Sequence, residues 1–305
     1  MNLVDKYFCW ACDFSDKTGE GNLARLFVKK KFAQNNYQIF TVNNIRILNF
    51  INFKILNYKY FSPLIGVLFC WYLFIKGKKV IYLNYLPLWN CLLFIFLPPK
   101  TIFGPITGGA YYKNKSIIRK FFFPMAFKLS ELFLNFRKIN FYFSTDLLKK
   151  FLNKSTIKKS KFNYIFNYYK KKSYQYKEID FLIYYRKHNN KETFFPYNFI
   201  KKLIYLNFKI QIVGDHFKNK YVVNHGYISN DKINHLLSKT FYSITSDENI
   251  YSLFTIECIN NNVKIITDIK NKNKIKFSKN NFILLNLKNY SNLYDFKKNF
   301  HIILN

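Results

Sequence analysis

Two runs in the second half of the chain set the architecture: Phe181-Leu182-Ile183-Tyr184-Tyr185-Arg186 and Lys209-Ile210-Gln211-Ile212-Val213-Gly214-Asp215. Each is short and rich in β-branched or aromatic residues, the first continuously apolar from Phe181 to Tyr185 and the second broken only by Gln211 between Ile210 and Val213, and each stops at a charged or glycine-bearing turn. That is how a strand covered on both faces of a parallel sheet reads. Between them, Phe199 to Asn207 has helical spacing. The alternation then continues with Asp231 to Ser238 as helix, Phe241 to Ile244 as strand, Ser252 to Ile259 as helix and Val263 to Thr267 as strand. Strands that alternate with helices in this way imply an α/β fold with a doubly wound parallel sheet.

The first half repeats the pattern. Tyr7 to Ala11 reads as strand and Leu23 to Lys30 as helix; Val80 to Leu83, Leu88 to Leu97 and Thr101 to Phe103 read as strand, helix and strand. From Ser160 to Lys177, Lys and Tyr crowd together without an apolar period, which places a linker there. The expected organisation is two Rossmann-like domains facing each other across a cleft. Residues 1–165 form the first, 178–290 the second, and 291–305 a tail or helix. In such sheets ligands bind beyond the carboxyl ends of the strands, so the loops there are the places to look for chemistry.

Composition bounds the rest. At 305 residues and 50% hydrophobic, the chain has apolar material for two cores. Its net charge of +33, from 49 Lys+Arg against 16 Asp+Glu, would attract anionic lipid, nucleotide phosphate or nucleic acid. Arginines are limited to Arg25, Arg46, Arg119, Arg137 and Arg186. The lysine excess comes with abundant Asn, Ile, Phe and Tyr, all with A/T-rich codons, so base composition is one source of it. Of the cysteines, Cys9 and Cys12 form a C-x-x-C pair with no second pair to complete four metal ligands, and the odd total of five argues against a disulfide framework. A reducing cytoplasm follows as the expectation, and the first residues do not read as a signal peptide. Tyr60 to Ile75 and Val80 to Pro99 are free of charge and flanked by lysine. The first is short for a span, and the second is interrupted by Asn84, Pro87, Asn90 and Pro98-Pro99.

Four places carry candidate chemistry. Gly19-Glu20-Gly21, before the first helix, would let backbone approach an anion. Gly104-Pro105-Ile106-Thr107-Gly108-Gly109 ends a strand and would lie against substrate. Arg186 and Lys191, after the strand that starts at Phe181, would put two cations on one diphosphate. Asp247 and Glu248, next to Ser246, and Glu257 within the following apolar helix are rare acids placed to receive sugar hydroxyls.

Taken in order, Arg186 with Lys191, Gly214-Asp215, Gly226, Ser246 to Glu248, and Glu257 ahead of Lys264-Ile265-Ile266 resemble the C-terminal pattern of retaining family 4 glycosyltransferases with the GT-B fold. The resemblance implies that Arg186, Lys191 and Glu248 are catalytic, with Arg186 and Lys191 on the donor diphosphate and Glu248 near the donor sugar. It implies donor contacts at Gly19, Gly21, Gly214, Ser246 and Glu257, the last holding the nucleotide ribose. Thr107, Gly108 and Gly109 would face the acceptor. Glu248 and Glu257 are nine apart (257 − 248), one more than the family's usual spacing. The family's N-terminal His has no counterpart, and Asn84 is the nearest substitute.

The implied function is transfer of a hexose from a nucleoside-diphosphate sugar to a lipid-linked or polysaccharide acceptor, as in lipopolysaccharide or O-antigen synthesis. The anomeric configuration would be retained, with no metal and no cofactor beyond the donor. The implied partners are the donor, a glycan or lipid-linked acceptor and an anionic membrane surface, without specific nucleic acid. The implied place is cytoplasmic, peripheral on the inner face of the cytoplasmic membrane. Two alternatives are a basic nucleic-acid-binding protein, favoured by charge and by 21% aromatic residues, and a GT-B scaffold that has lost catalysis.

Overall fold

The computed structural model describes residues 6–16, 18–33, 35–42, 58–107, 117–137, 139–164, 176–187, 195–247, 249–288, 294–295 and 297–298. The chain divides into two units, residues 1–165 and 166–305.

In the first unit, β1 (Lys6–Trp10), α1 (Gly19–Lys31), β2 (Asn36–Phe40), α2 (Tyr58–Ile75), β3 (Lys79–Tyr82), α3 (Cys91–Phe96) and β4 (Ile102–Phe103) follow one another, then α4 (Ile117–Phe136), β5 (Phe141–Tyr142), α5 (Lys154–Lys159) and β6 (Ser160–Lys161). The main sheet runs β2-β1-β3-β4, every pair parallel. Single bridges, Pro87 to Thr107 and Ile106 to Phe143, extend its rim to the small parallel β5-β6 pair. Trp10, Tyr82, Phe94, Phe103 and Phe127 are fully buried at the centre of this core.

The second unit holds β7 (Ile179–Tyr185), α6 (Tyr197–Tyr205), β8 (Ile210–Gly214), β9 (Val222–Asn224), α7 (Asn230–Ser238), β10 (Thr240–Ile244), α8 (Leu253–Asn260), β11 (Lys264–Asp268) and β12 (Phe282–Leu285). Its sheet is parallel throughout, in the order β12-β11-β10-β7-β8-β9. Counted within the unit, this is the doubly wound Rossmann order, and the chain reverses its direction of travel between β7 and β10. In the first unit the reversal lies between β1 and β3. The α/β class, with two parallel sheets flanked by helices, therefore stands as expected.

Three local readings change. Helix α1 starts at Gly19 rather than Leu23, because the Thr18 hydroxyl caps it by accepting from Gly21 N–H at 3.0 Å. Gly19 and Gly21 thus sit in its first turn, not in a loop. Helix α3 is shorter than Leu88 to Leu97, because Leu88 N–H donates to the Thr107 carbonyl at 2.7 Å and is committed to the sheet rim. Val80 to Pro99 is accordingly strand, turn and short helix. No described helix is long and apolar enough to cross a membrane.

Candidate functional site

In the second unit, the site is built at the carboxyl ends of β7, β8 and β10. Tyr185 ends β7 within an aromatic floor. Its hydroxyl meets that of Tyr197 at 2.8 Å, and its ring meets those of Phe195 and Phe217 at 4.9 and 5.5 Å. Arg186 follows at once and is exposed. Gly214, at the end of β8, has φ of +105°, and a Cβ there would stand 2.2 Å from the Tyr185 carbonyl oxygen. Only glycine lets β8 turn this close to β7. Its neighbour Asp215 accepts from Lys187 N–H at 2.6 Å through Oδ2 and from the Tyr227 hydroxyl at 2.9 Å through Oδ1. This carboxylate ties the loop after β7 to the segment after β9. Burial, then the Asp215 hydrogen bond, pushes the Tyr227 hydroxyl up to about 12, so it stays a donor at neutral pH. With Asp215 engaged in this way, no carboxylate pairs with Arg186 among the described residues.

Helix α8 closes the other side. Ser252 caps it, accepting from Thr255 N–H at 3.1 Å. Phe254 meets the Tyr184 ring with centroids 5.7 Å apart. Burial raises the Tyr184 hydroxyl, and the charge of Arg186 partly opposes that shift. Glu257 lies one turn beyond Phe254, on the same half-buried side of the helix. Arg186 directly follows β7 and Glu257 stands on α8, the helix after β10, so the two lie on either side of the β7/β10 reversal in the sheet order. Ser246 is half-buried after β10. Asp247 belongs to the scaffold: it accepts from Asn271 Nδ2 at 2.6 Å and forms an ion pair with Lys270. Asn271 also donates to Thr267 Oγ1 at 3.1 Å, which locks the ends of β10 and β11 together. Lys191 and Glu248 lie outside the described residues.

In the first unit, the loop after β1 is held from within. Buried Asn84 accepts from Cys12 N–H at 2.9 Å and Asp13 N–H at 3.3 Å, and its amide donates to the carbonyls of Asp13 and Glu20. These bonds occupy the side chain, so Asn84 braces the loop and is not a stand-in for a catalytic His. Asp13 in turn accepts from Ser15 N–H at 2.8 Å and from the Thr18 hydroxyl at 2.5 Å. A Cβ on Gly21 would lie 2.1 Å from the Ser15 carbonyl oxygen, whereas Gly19 is open. The Gly21 glycine is therefore explained by packing, and Gly19 is left as the accessible backbone of this turn.

The third candidate stretch divides in the same way. Gly104 N–H donates to the Tyr82 carbonyl at 2.7 Å, and a Cβ there would stand 1.9 Å from the Leu83 oxygen. Thr107 is half-buried with its backbone in the sheet rim, bonded to Leu86 and Leu88. Gly108 and Gly109 lie outside the described residues. A cavity of about 490 Å³ lined by Lys31, Ile102, Asn140, Tyr142 and Lys159 sits at the amino ends of β4 and β5. That is the opposite end from the one where such sheets hold ligands.

All five cysteines are free thiols, and the described residues contain no group of three or more His, Cys, Asp or Glu placed to hold a metal ion. Sequence reasoning missed Asp215 as the clamp and Tyr227 as its partner. The signal available was that Asp215 is one of few acids and follows a glycine at a strand end.

No protein-family model matches the chain, and no curated protein matches it. Among solved structures, it is similar to E. coli heptosyltransferase WaaC with ADP-2-deoxy-2-fluoro heptose at 10% identity, covering 92% of each chain with a TM-score of 0.35. It is also similar to Anabaena Alr3699/HepE in complex with UDP and glucose at 9% identity, covering 96% of this chain and 89% of that one, with a TM-score of 0.48. Identities and scores this low assign no family.

Proposed function

We propose that the protein is a glycosyltransferase of GT-B type that moves a hexose from a nucleoside-diphosphate sugar, with retention, to a lipid-linked or polysaccharide acceptor at the inner face of the cytoplasmic membrane. What supports this reading is that Arg186 directly follows β7 while Glu257 lies on the helix after β10, on the two sides of the reversal where a doubly wound sheet offers its crevice. A guanidinium with no carboxylate partner among the described residues suits a diphosphate, because its planar fork matches phosphate oxygens. Charge on the leaving diphosphate grows as the sugar departs, and a fixed cation lowers the barrier most at that stage. Lys191 would add a second positive charge. Glu257, on the accessible side of α8, would accept ribose hydroxyls, and Glu248 would meet the sugar. Gly19, in the first turn of α1, would contact the donor, and Thr107 to Gly109 would border the acceptor side.

The test is nucleotide release from a panel of UDP-, GDP- and ADP-sugars by purified protein, with and without glycolipid acceptor. Arg186→Ala should lower turnover by about 100-fold, the scale of losing one preorganised charge partner. Glu257→Gln should weaken mainly donor binding. Equal rates in wild type and both variants overturn the site, and absence of nucleotide binding by calorimetry overturns the reading itself.

A further inference from the structure

Helices α2, α3 and α4 are apolar on two sides. Their inner sides enter the core through residues such as Val67, Cys70, Leu73, Phe94 and Phe127. Their outer sides are apolar as well. On α2, Leu64, Leu68, Trp71 and Ile75 form a stripe at helical spacing, with Leu68 64% and Ile75 79% exposed. On α4 the same spacing runs through Phe121, Met125, Leu129, Leu132 and Phe136, the last 75% exposed. Leu92 and Phe96 of α3 are exposed between them. The three helices touch one another in sequence, α2 with α3 and α3 with α4, so these stripes join into one face. A stably folded protein does not leave such a face to water without a use for it.

Two further observations bear on this face: one holds it in place, and the other says what covers it. First, the carbonyls at the end of α3 are taken by protein groups. Trp71 Nε1 donates to the Phe96 oxygen at 2.6 Å, and buried Arg137 donates to those of Phe94, Leu97 and Pro98 at 2.7, 2.6 and 2.6 Å. Phe94, Leu97 and Pro98 are themselves buried, so the Arg137 bonds satisfy a helix end inside the first unit, and with the Trp71 bond they fix α3 against its neighbours and hold the outer face as one surface. Second, the charge is of one sign. No acid occurs between Glu20 and Glu131, and Glu131 is buried, accepting from Asn153 N–H at 2.6 Å. Exposed Lys76, Lys78, Lys100, Lys120 and Lys128 edge the face, and Lys76 reaches back to the Tyr72 hydroxyl. A second copy of this chain would oppose lysines to lysines, whereas an anionic bilayer offers apolar depth beneath a negative rim.

We infer that the outer faces of α2, α3 and α4 seat the first unit on an anionic lipid bilayer, with these helices lying in the interface rather than crossing it. The apolar stripes enter the acyl boundary while the lysines reach up to headgroup phosphates. The surface stands independently of the sugar-transfer reading and is tested without any donor.

The experiment is co-sedimentation of the full chain with vesicles of phosphatidylglycerol and phosphatidylcholine, against phosphatidylcholine alone, while tryptophan fluorescence is followed with bromine-labelled acyl chains. Trp71 and Trp89 are surface-accessible and Trp10 is buried, so quenching reports the face. The wild type should bind anionic vesicles and be quenched. The triple variant Leu68→Glu, Leu92→Glu, Met125→Glu changes only exposed positions; it should partition about 100-fold more weakly and lose the quenching. The single variant Leu68→Glu should lie between them with an unchanged melting temperature. Failure of the wild type to bind anionic vesicles overturns the inference. So does binding without quenching, or binding by the triple variant as strong as wild type. A wild-type dimer that the triple variant splits, without vesicle binding, would hand the face to a second copy instead.

Discussion

At the residue scale, neighbouring glycines with the same appearance in sequence do different jobs. Gly21 is required because Ser15 backbone occupies the space a side chain would need, while Gly19 faces open space at the start of α1. Gly19→Ala should leave thermal stability unchanged or raise it slightly, since alanine is the better helix residue. Gly21→Ala should lower it by about 2 kcal/mol through a backbone clash. Urea denaturation of both variants checks this, and equal effects would contradict the assignment. The contrast also makes Gly19→Ala a clean probe of ligand approach, because the fold should survive it. Asp215 and Tyr227 illustrate the reverse difficulty. Their partnership joins the end of β8 to the segment after β9 through a hydroxyl and a carboxylate, and no local pattern announces such a pairing.

At the scale of elements, Arg137 joins α4 to α3. Burial pulls its pKa down to about 10, which leaves it charged at neutral pH, and three carbonyls stand in for the water it has lost. Its guanidinium also lies 5.0 Å from the Phe103 ring centroid. Arg137→Ala should cost about 3 kcal/mol, because it leaves carbonyls at the α3 terminus without donors. Arg137→Lys should recover only part of that, since an ammonium lacks the planar fork. Thermal melts of the two variants give the order, and a lysine variant as stable as wild type would refute the role. Most helices and strands here were legible from period and punctuation. The reading did not name β2, α4, β9 or β12, and at the start of α1 and of α3 a capping hydroxyl and a distant sheet bridge moved the boundary.

At the scale of the whole molecule, buried thiols link stability to pH. Burial pushes Cys9 and Cys258 up from 9.0 to about 12 and raises Cys70 as well. The folded protein therefore holds these protons more tightly than the unfolded chain does. Their contribution is complete below pH 9.0 and is lost as pH climbs toward about 12. Each thiol should remove about 1.4 kcal/mol per pH unit within that window. Urea melts between neutral pH and about 11 should show the decline, shallower in Cys258→Ala, and a flat profile would count against it.

Composition and alternation sufficed for the α/β class and for the central strands of both sheets, because strand and helix periods are local properties of the chain, while the outer strands β2, β9 and β12 went unnamed. They also brought Arg186 and Glu257 forward as candidates. Folding alone sorted those candidates: Asn84 and Asp247, both polar and suitably placed after strands, are bound into the scaffold, and Arg186 is left without a carboxylate partner among the described residues. Which polar group braces a loop and which faces a ligand depends on partners far away in the chain, Asn84 with Cys12 or Arg137 with Phe94, and such pairs leave no periodic trace. The same holds for the outer face of α2, α3 and α4. Apolarity marked the region as unusual, but only packing shows which side of each helix is already covered.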